Sequence, residues 1–118
     1  MAYHHHTGNL GEKMAENFLI GKGYTILHRN WRYTHWEVDI IAENNGKLHF
    51  VEVKTRTTAT FGYPEEDVGR KKIINLLNAA EEFLLQFPQW EVIQFDIISV
   101  IMSKNSQPEF LFIEDVYV

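Results

Sequence analysis

The sequence of 118 residues contains no cysteine. Disulfide bonds and thiolate metal sites are therefore excluded, and the cytoplasm is the expected location. No apolar run has membrane-spanning length, and the N-terminus lacks the basic-then-apolar pattern of a signal peptide. Repeats, low-complexity segments and linkers are also missing. We therefore expect one domain over residues 9–118, without a membrane partner, after a flexible N-terminus at residues 1–8.

A surplus of basic residues is missing as well, because the formal net charge is −5. This acidity argues against a general nucleic-acid coat, since phosphate binding draws on a basic surface. The basic residues are unevenly distributed, and five of the eleven are Lys54, Arg56, Arg70, Lys71 and Lys72. They indicate either a local basic face or an ordinary solvated helix surface.

Hydrophobic periodicity predicts two helices and five strands. An apolar residue at every fourth position predicts the first helix from about Asn9 to Ile20, capped by Asn9 or Thr7 and stopped by Gly23. The second helix is expected over residues 65–86, because Pro64 and the acidic residues after it suit a first helical turn. Strands are expected at residues 24–32, 37–43, 47–54, 92–102 and 109–118. The order α-β-β-β-α-β-β indicates an α/β or α+β domain with a central mixed sheet.

The stretch WEVDIIAENNGKLHFVEVKTR, residues 36–56, predicts a hairpin. Its Asn45-Gly46 dipeptide is typical of a two-residue turn with positive φ, which makes Asn44 pair with Lys47. A four-residue loop is the alternative and would shift the register by two residues. In either register the same side chains share a face, because strand side chains alternate with a period of two.

Four charged side chains lie inside these apolar strands. The two-residue turn places Asp39 opposite Glu52 and Glu37 opposite Lys54, all on one face. Glu37 and Lys54 are readily explained as a cross-strand ion pair. An opposed carboxylate pair such as Asp39 and Glu52 usually shares a proton or holds a cation. A hard cation with oxygen ligands, above all Mg²⁺, is the expected occupant.

The motif Asp39…Glu52-Val53-Lys54 resembles the PD-(D/E)xK nuclease signature. The ordered blocks GEKMAENFLIGKGYTILHRNWR, EVDIIA, FVEVKTR, FGYPEEDV and FDIISV are similar to the YraN-like bacterial proteins, which are related to archaeal Holliday-junction resolvases. This resemblance implies a restriction-endonuclease-like core in which Asp39 and Glu52 bind metal and Lys54 is the catalytic lysine. Glu12 matches a helix-borne glutamate of the family, and helical periodicity independently places it at the edge of the apolar stripe.

The expected function is therefore that of a Mg²⁺- or Mn²⁺-dependent DNA endonuclease, directed at branched or distorted DNA. A metal held by Asp39, Glu52 and Glu12 would polarise the phosphodiester and activate a water, with Lys54 beside it. Side chains expected to contact the phosphate backbone are Thr55, Arg56, Lys71 and Lys72. The resemblance also suggests a homodimer.

Two further hypotheses come from other classes. The chain is either a non-catalytic module that binds nucleic acid or protein, or a metal-stabilised structural domain. Asp96 has two interpretations as well, a helper carboxylate of the site or a buried, hydrogen-bonded aspartate.

Overall fold

A computed structural model of the protein describes residues 2–57 and 69–116, with side chains from Asn9 onward. The elements are α1 (Ala2–Gly21), β1 (Thr25–Tyr33), β2 (Trp36–Asn44), β3 (Lys47–Arg56), α2 (Arg70–Gln86), β4 (Ile93–Ile101) and β5 (Glu109–Ile113). This order confirms the predicted α-β-β-β-α-β-β succession and the α+β class. None of the described helices is long and apolar enough to cross a membrane.

The five strands form one mixed sheet in the order β1-β2-β3-β4-β5. Strands β3 and β4 are parallel, and the other neighbouring pairs are antiparallel. A parallel pair needs a long crossover connection, and α2 lies in the segment that joins β3 to β4. The hairpin strands β2 and β3 are therefore central in the sheet, which explains why their apolar residues are buried.

The two helices cover opposite faces of the sheet. Helix α1 buries Ala15 and Leu19 against a cluster that includes Ile40, Val53 and Ile98. On the other face, α2 buries its own apolar stripe against other residues of the same strands. The side chains of this second cluster include Val38, Ile41, Leu48, Phe50, Leu76, Ala80 and Phe83. Each face of the hairpin therefore has its own core, and a side chain's position along the strand decides which helix it meets.

Helix α1 begins at Ala2, so the expected start at Asn9 is wrong. Asn9 and Thr7 lie inside the helix and do not cap it. A helix that is anchored by packing extends cheaply, because each added residue gains one backbone hydrogen bond. The predicted stop is confirmed, since Gly23 has a φ of +95° and its N–H donates to the carbonyl of Ile20 at 3.0 Å.

Helix α2 begins at Arg70, so the expected start at residue 65 is also wrong. Gly69 precedes the helix in an extended conformation, with φ −68° and ψ 164°. The predicted first turn at residues 64–67 lies outside the described residues. The end of the helix at Gln86 agrees with the prediction.

The hairpin has the predicted register. Asn44 pairs with Lys47, and the pairing continues to Ile40 and Val51. Asn45 and Gly46 both have positive φ, +54° and +78°, as a two-residue turn requires. The alternative four-residue loop is therefore excluded.

Candidate functional site

Strands β2 and β3 stop pairing one step before Asp39. The last Cα pair is Ile40 with Val51, so the expected direct pairing of Asp39 with Glu52 is wrong. Beyond this pair, a side chain of β2 takes the place of a backbone acceptor: the N–H of Val53 donates to Oδ2 of Asp39 at 2.8 Å. A buried N–H without an acceptor is costly, so this hydrogen bond fixes the carboxylate at the fork between the strands.

The side chains of Asp39 and Glu52 nevertheless meet in one pocket. This acidic pocket has a volume of about 410 Å³, and α2 supplies part of its lining. Its charged lining comprises the carboxylates of Glu37, Asp39 and Glu52 and the ammonium groups of Lys71 and Lys72. Asp39 is 8% exposed and Glu52 is 1% exposed. The shared face predicted for the three carboxylates is thus present, with two of them buried.

Burial and mutual proximity shift the titration of both buried carboxyls. Burial, followed by the charge of Glu52, raises the pKa of Asp39 well above its usual range, and the Val53 N–H opposes the rise. Burial also raises the pKa of Glu52, which Lys72 and a hydrogen bond shared with Asp39 partly offset. Two carboxyls in this relation cannot both ionise freely, so together they favour a shared proton or an added cation.

Lys72 is the cation that lies closest to this pair. Its Nζ is 2.5 Å from Oε2 of Glu52, in an ion pair whose carboxylate end is buried. Burial alone would lower the pKa of Lys72, but the charge and hydrogen bond of Glu52, together with the charges of Asp39 and Glu37, outweigh burial and raise it. The ammonium therefore stays charged beside Glu52 and neutralises part of the acidic pocket.

The expected ion pair between Glu37 and Lys54 is wrong. Glu37 pairs with Arg32 of β1, whose Nε is 3.3 Å from Oε2 of Glu37. The reason is the fork, because β2 and β3 have separated before residues 37 and 54 could meet. Lys54 is half-buried and close enough to Glu52 for its charge to limit the rise in the pKa of Glu52.

Glu12 lies on α1, across the sheet from α2, and does not line the acidic pocket. Its Oε1 is 3.5 Å from a guanidinium nitrogen of Arg29, which also contacts Glu16. The charge of Glu12 still reaches Asp39 and contributes to raising the pKa of that carboxyl. Glu12 therefore acts on Asp39 through its charge, while its carboxylate is paired with Arg29 outside the acidic pocket.

The four residues predicted to contact phosphates do not lie together in the structure. Lys71 is exposed and lines the acidic pocket beside Lys72. Arg56 is half-buried at the end of β3. Thr55 points towards α1, because a Cβ added at Gly11 would lie 2.0 Å from its hydroxyl oxygen. The structure thus brings the two lysines to the carboxylates and leaves Thr55 on the opposite face.

Asp96 matches the interpretation of a buried, hydrogen-bonded aspartate. It is fully buried, its Oδ2 lies 2.7 Å from Nδ1 of His49, and its Oδ1 accepts from Gln94 and from the N–H of Asp115. Asp96 does not line the acidic pocket. This network ties the segment after β5 to the sheet.

The contact between Lys72 and Glu52 is the feature that sequence reasoning missed. The run of basic residues that contains Lys72 predicts phosphate contacts instead. The spacing of Lys72 to the buried Leu76, Ala80 and Phe83 is typical of one helical stripe, so the signal for an inward-facing lysine is present in the sequence. A lysine on the buried stripe of a helix indicates a partner carboxylate on the sheet.

The donor set of the pocket is small. Among residues 9–57 and 69–116, no group of three or more His, Asp or Glu side chains is arranged to hold a metal ion. Two buried carboxylates are present, and Mg²⁺ in proteins is commonly held by one or two carboxylates and several waters. The pocket therefore fits a two-carboxylate cation site with solvent ligands.

Comparison with known proteins identifies the family. A family model described as "Uncharacterised protein family UPF0102" matches residues 11–100, a range that contains Asp39, Glu52, Lys54 and Lys72. A UPF0102 protein of Bacteroides fragilis is 44% identical over 101 residues, covering 86% of this chain and 84% of that protein. One of Phocaeicola vulgatus is 41% identical over 105 residues, covering 89% and 87%. One of Persephonella marina is 40% identical over 95 residues, covering 80% and 82%. The chain belongs to the UPF0102 family.

Proposed function

We propose that this protein is a divalent-metal-dependent endonuclease that hydrolyses phosphodiester bonds in DNA, and that it belongs to the PD-(D/E)xK nuclease superfamily. The observation that carries the proposal is the buried pair Asp39 and Glu52 at the fork of the central hairpin. Two adjacent buried carboxyls with raised pKa values destabilise a fold, and such groups cluster at functional sites, which supports a bound cation here. Lys54 follows Glu52 by two residues, as the nuclease signature requires.

Asp39 and Glu52 would hold the metal, which we propose to be Mg²⁺ or Mn²⁺. When bound, such a cation stabilises negative charge on the phosphodiester as a Lewis acid. The pocket of about 410 Å³ has room for the cation and its waters. The hydrogen bond from the Val53 N–H holds Asp39 by one oxygen and directs its carboxylate before any ligand arrives.

The chain's own cations act on the phosphate. Lys54 lies near Glu52 and would stabilise the charge that develops on the phosphoryl oxygens. Lys71 is exposed at the same pocket and would contact the flanking backbone without reading base sequence. Glu12 contributes through its charge, which helps to raise the pKa of Asp39.

Branched or distorted DNA is the proposed substrate, with a homodimer as the assembly that would cut two strands. A net charge of −5 favours a small phosphate footprint over the binding of long duplex DNA. A localised contact of this kind is suited to recognising a structural irregularity, because it does not require an extended basic groove.

One observation favours the second candidate, a non-catalytic module that binds nucleic acid or protein. The ion pair between Lys72 and Glu52 already supplies the acidic pocket with a positive charge. A pocket whose negative charge is partly neutralised in this way does not require a metal. The two candidates differ in whether DNA is cut, so a cleavage assay separates them.

The experiment is a cleavage assay on labelled duplex, flap, fork and four-way-junction DNA with Mg²⁺, with Mn²⁺ and with chelator. We expect cleavage that requires the metal and that weakens as salt is raised, because the phosphate contacts are few and electrostatic. Lys54→Ala should reduce the cleavage rate by about 10²–10³ while keeping metal binding and most DNA binding. Glu52→Gln should lose metal binding and cleavage together.

Lys104→Ala is the matched control, because it removes a lysine charge from the exposed turn between β4 and β5. Its cleavage rate should equal that of the wild type. DNA binding without cleavage on every substrate, with Lys54→Ala indistinguishable from the wild type, would refute the endonuclease and support the non-catalytic module.

A further inference from the structure

The ion pair between Lys72 and Glu52 joins a half-exposed ammonium to a buried carboxylate. Nζ of Lys72 lies 2.5 Å from Oε2 of Glu52, a carboxylate with only 2% of its side chain exposed. The Lys72 side chain is itself 50% exposed and extends from the first turn of α2. One partner is thus held in the core, while the other is partly in solvent on a long, flexible stem.

The Lys72 side chain lines the same acidic pocket as Glu52, Asp39 and Glu37. Its ammonium is in direct contact with Glu52. A divalent cation bound by Asp39 and Glu52 would need the same Glu52 oxygens and the same negative potential. Two cations in contact with one carboxylate repel each other, so a bound metal would weaken the contact between Lys72 and Glu52.

We infer that Lys72 is a displaceable counter-ion that occupies the cation site of Asp39 and Glu52 in the metal-free protein and leaves Glu52 when a divalent cation binds. This inference rests on the proposed function and adds a regulatory step to it. The exposed half of the side chain allows the ammonium to move towards solvent without unpacking the core of α2. The released ammonium then lies beside Lys71 at the pocket, where a substrate phosphate would arrive.

This arrangement couples metal loading to phosphate binding. Before loading, Lys72 is engaged by Glu52 and the pocket presents carboxylates, which repel DNA. After loading, the carboxylates are neutralised by the metal and Lys72 becomes available to an anion. The same side chain therefore opposes premature DNA binding and afterwards supports it.

The first test measures where the ammonium is. Wild-type protein is treated with a limiting amount of an amine-acylating reagent, with and without saturating Mg²⁺, and each lysine is quantified by peptide mass spectrometry. We expect acylation of Lys72 to rise about tenfold with Mg²⁺, in the range of ordinary coupling between two ligands. Lys71 is the internal control, because it is the neighbouring residue and is exposed in the same pocket. Its acylation should change by less than about twofold by the same reasoning.

The second test measures metal affinity by calorimetry with Mg²⁺ and Mn²⁺ alone. Lys72→Met removes the competing charge and keeps the apolar stem, so it should bind metal about tenfold more tightly than the wild type. Lys71→Met removes the same charge from the same pocket and should have a distinctly smaller effect. Metal binding by Lys72→Met alone, with none by the wild type, would also support the inference.

Two results would overturn it, and they differ in what they imply for the proposed function. Metal binding by the wild type with unchanged acylation of Lys72 would show that the ammonium stays on Glu52, while the metal site would stand. Metal binding by neither the wild type nor Lys72→Met would overturn the inference and the proposed metal site together. The acylation test uses only wild-type protein, so it remains decisive if Lys72→Met does not fold.

Discussion

Replacing Asp39 by asparagine should leave the metal-free protein as stable as the wild type or make it more stable at neutral pH. Asparagine is close in shape to aspartate and keeps an oxygen that accepts the N–H of Val53. It removes the charge whose burial beside Glu52 raises the pKa of Asp39. The substitution thus separates the hydrogen bond, which stabilises the fold, from the charge, which destabilises it.

The pH dependence has a definite sign. Because the folded-state pKa of Asp39 is raised above the unfolded value, its contribution to stability is fully present below the unfolded pKa of about 3.9 and is lost as the pH rises through the folded pKa. Each unit of that rise corresponds to about 1.4 kcal/mol. An asparagine side chain does not titrate, so the free energy of unfolding of Asp39→Asn should increase relative to that of the wild type as the pH rises.

Asp39→Ala is the matched variant that loses both functions. It leaves the buried N–H of Val53 without its acceptor, which should cost about 1–3 kcal/mol relative to Asp39→Asn. For a domain of this size that cost corresponds to a fall of about 4 °C in Tm per kcal/mol. The two variants should differ by a similar amount at every pH, because neither has a titrating group at position 39.

The assay is urea denaturation of the three proteins in chelator, followed by circular dichroism from about pH 5 to about pH 8. Asp39→Asn should be at least as stable as the wild type at the upper end of this range. Strong destabilisation by Asp39→Asn at neutral pH, equal to that by Asp39→Ala, would refute the reasoning. Asp39 would then be a structural hydrogen-bonding residue whose charge the fold requires.

Three further predictions concern the scaffold and are measured by chemical denaturation. Gly11→Ala should destabilise the protein by about 1–3 kcal/mol, because the new Cβ would lie 2.0 Å from the hydroxyl of Thr55, although alanine normally favours a helix. This cost should be smaller in a Thr55→Ala background, and an unchanged cost would contradict the clash. Asp96→Ala removes a buried acceptor and should cost about 3 kcal/mol of stability. Ser99→Ala is the comparison and should cost less than about 1 kcal/mol, because the buried Ser99 hydroxyl has no hydrogen-bond partner in the described part of the chain. Glu37→Gln should change stability by less than about 1 kcal/mol, since its ion pair with Arg32 is largely exposed, and a larger loss would mean that Glu37 supports the acidic pocket.

The order of the elements and the hairpin register were predictable because local rules determine both. The positive φ of Asn45 and Gly46 follows from a turn that is built by its own two residues, and alternation then places the side chains of the paired residues 40–44 and 47–51. The shared face of Asp39 and Glu52 follows in the same way. The start of α1 was predicted poorly, because a capping residue such as Asn9 indicates where a helix is able to begin, whereas the helix extends beyond it to Ala2. Helix α2 begins later than predicted, because Gly69 is extended and the helix starts only at Arg70.

The composition of the acidic pocket was only partly predictable. The fork beyond Ile40 depends on the Asp39 side chain taking a backbone hydrogen bond, and pairing arithmetic alone does not reveal it. The partner of Glu37 depends on the register of β1, which no turn motif determines. Lys72 reaches Glu52 through the packing of α2 on the sheet, which is a tertiary contact between residues far apart in the sequence.

The most direct measurement of the central claim is anomalous diffraction from crystals soaked in Mn²⁺. We predict an anomalous peak between the carboxylates of Asp39 and Glu52, with Nζ of Lys72 moved away from Oε2 of Glu52. A soaked crystal with no peak at this pair, and with Lys72 still in contact with Glu52, would contradict the claim that these carboxylates form a divalent-metal site.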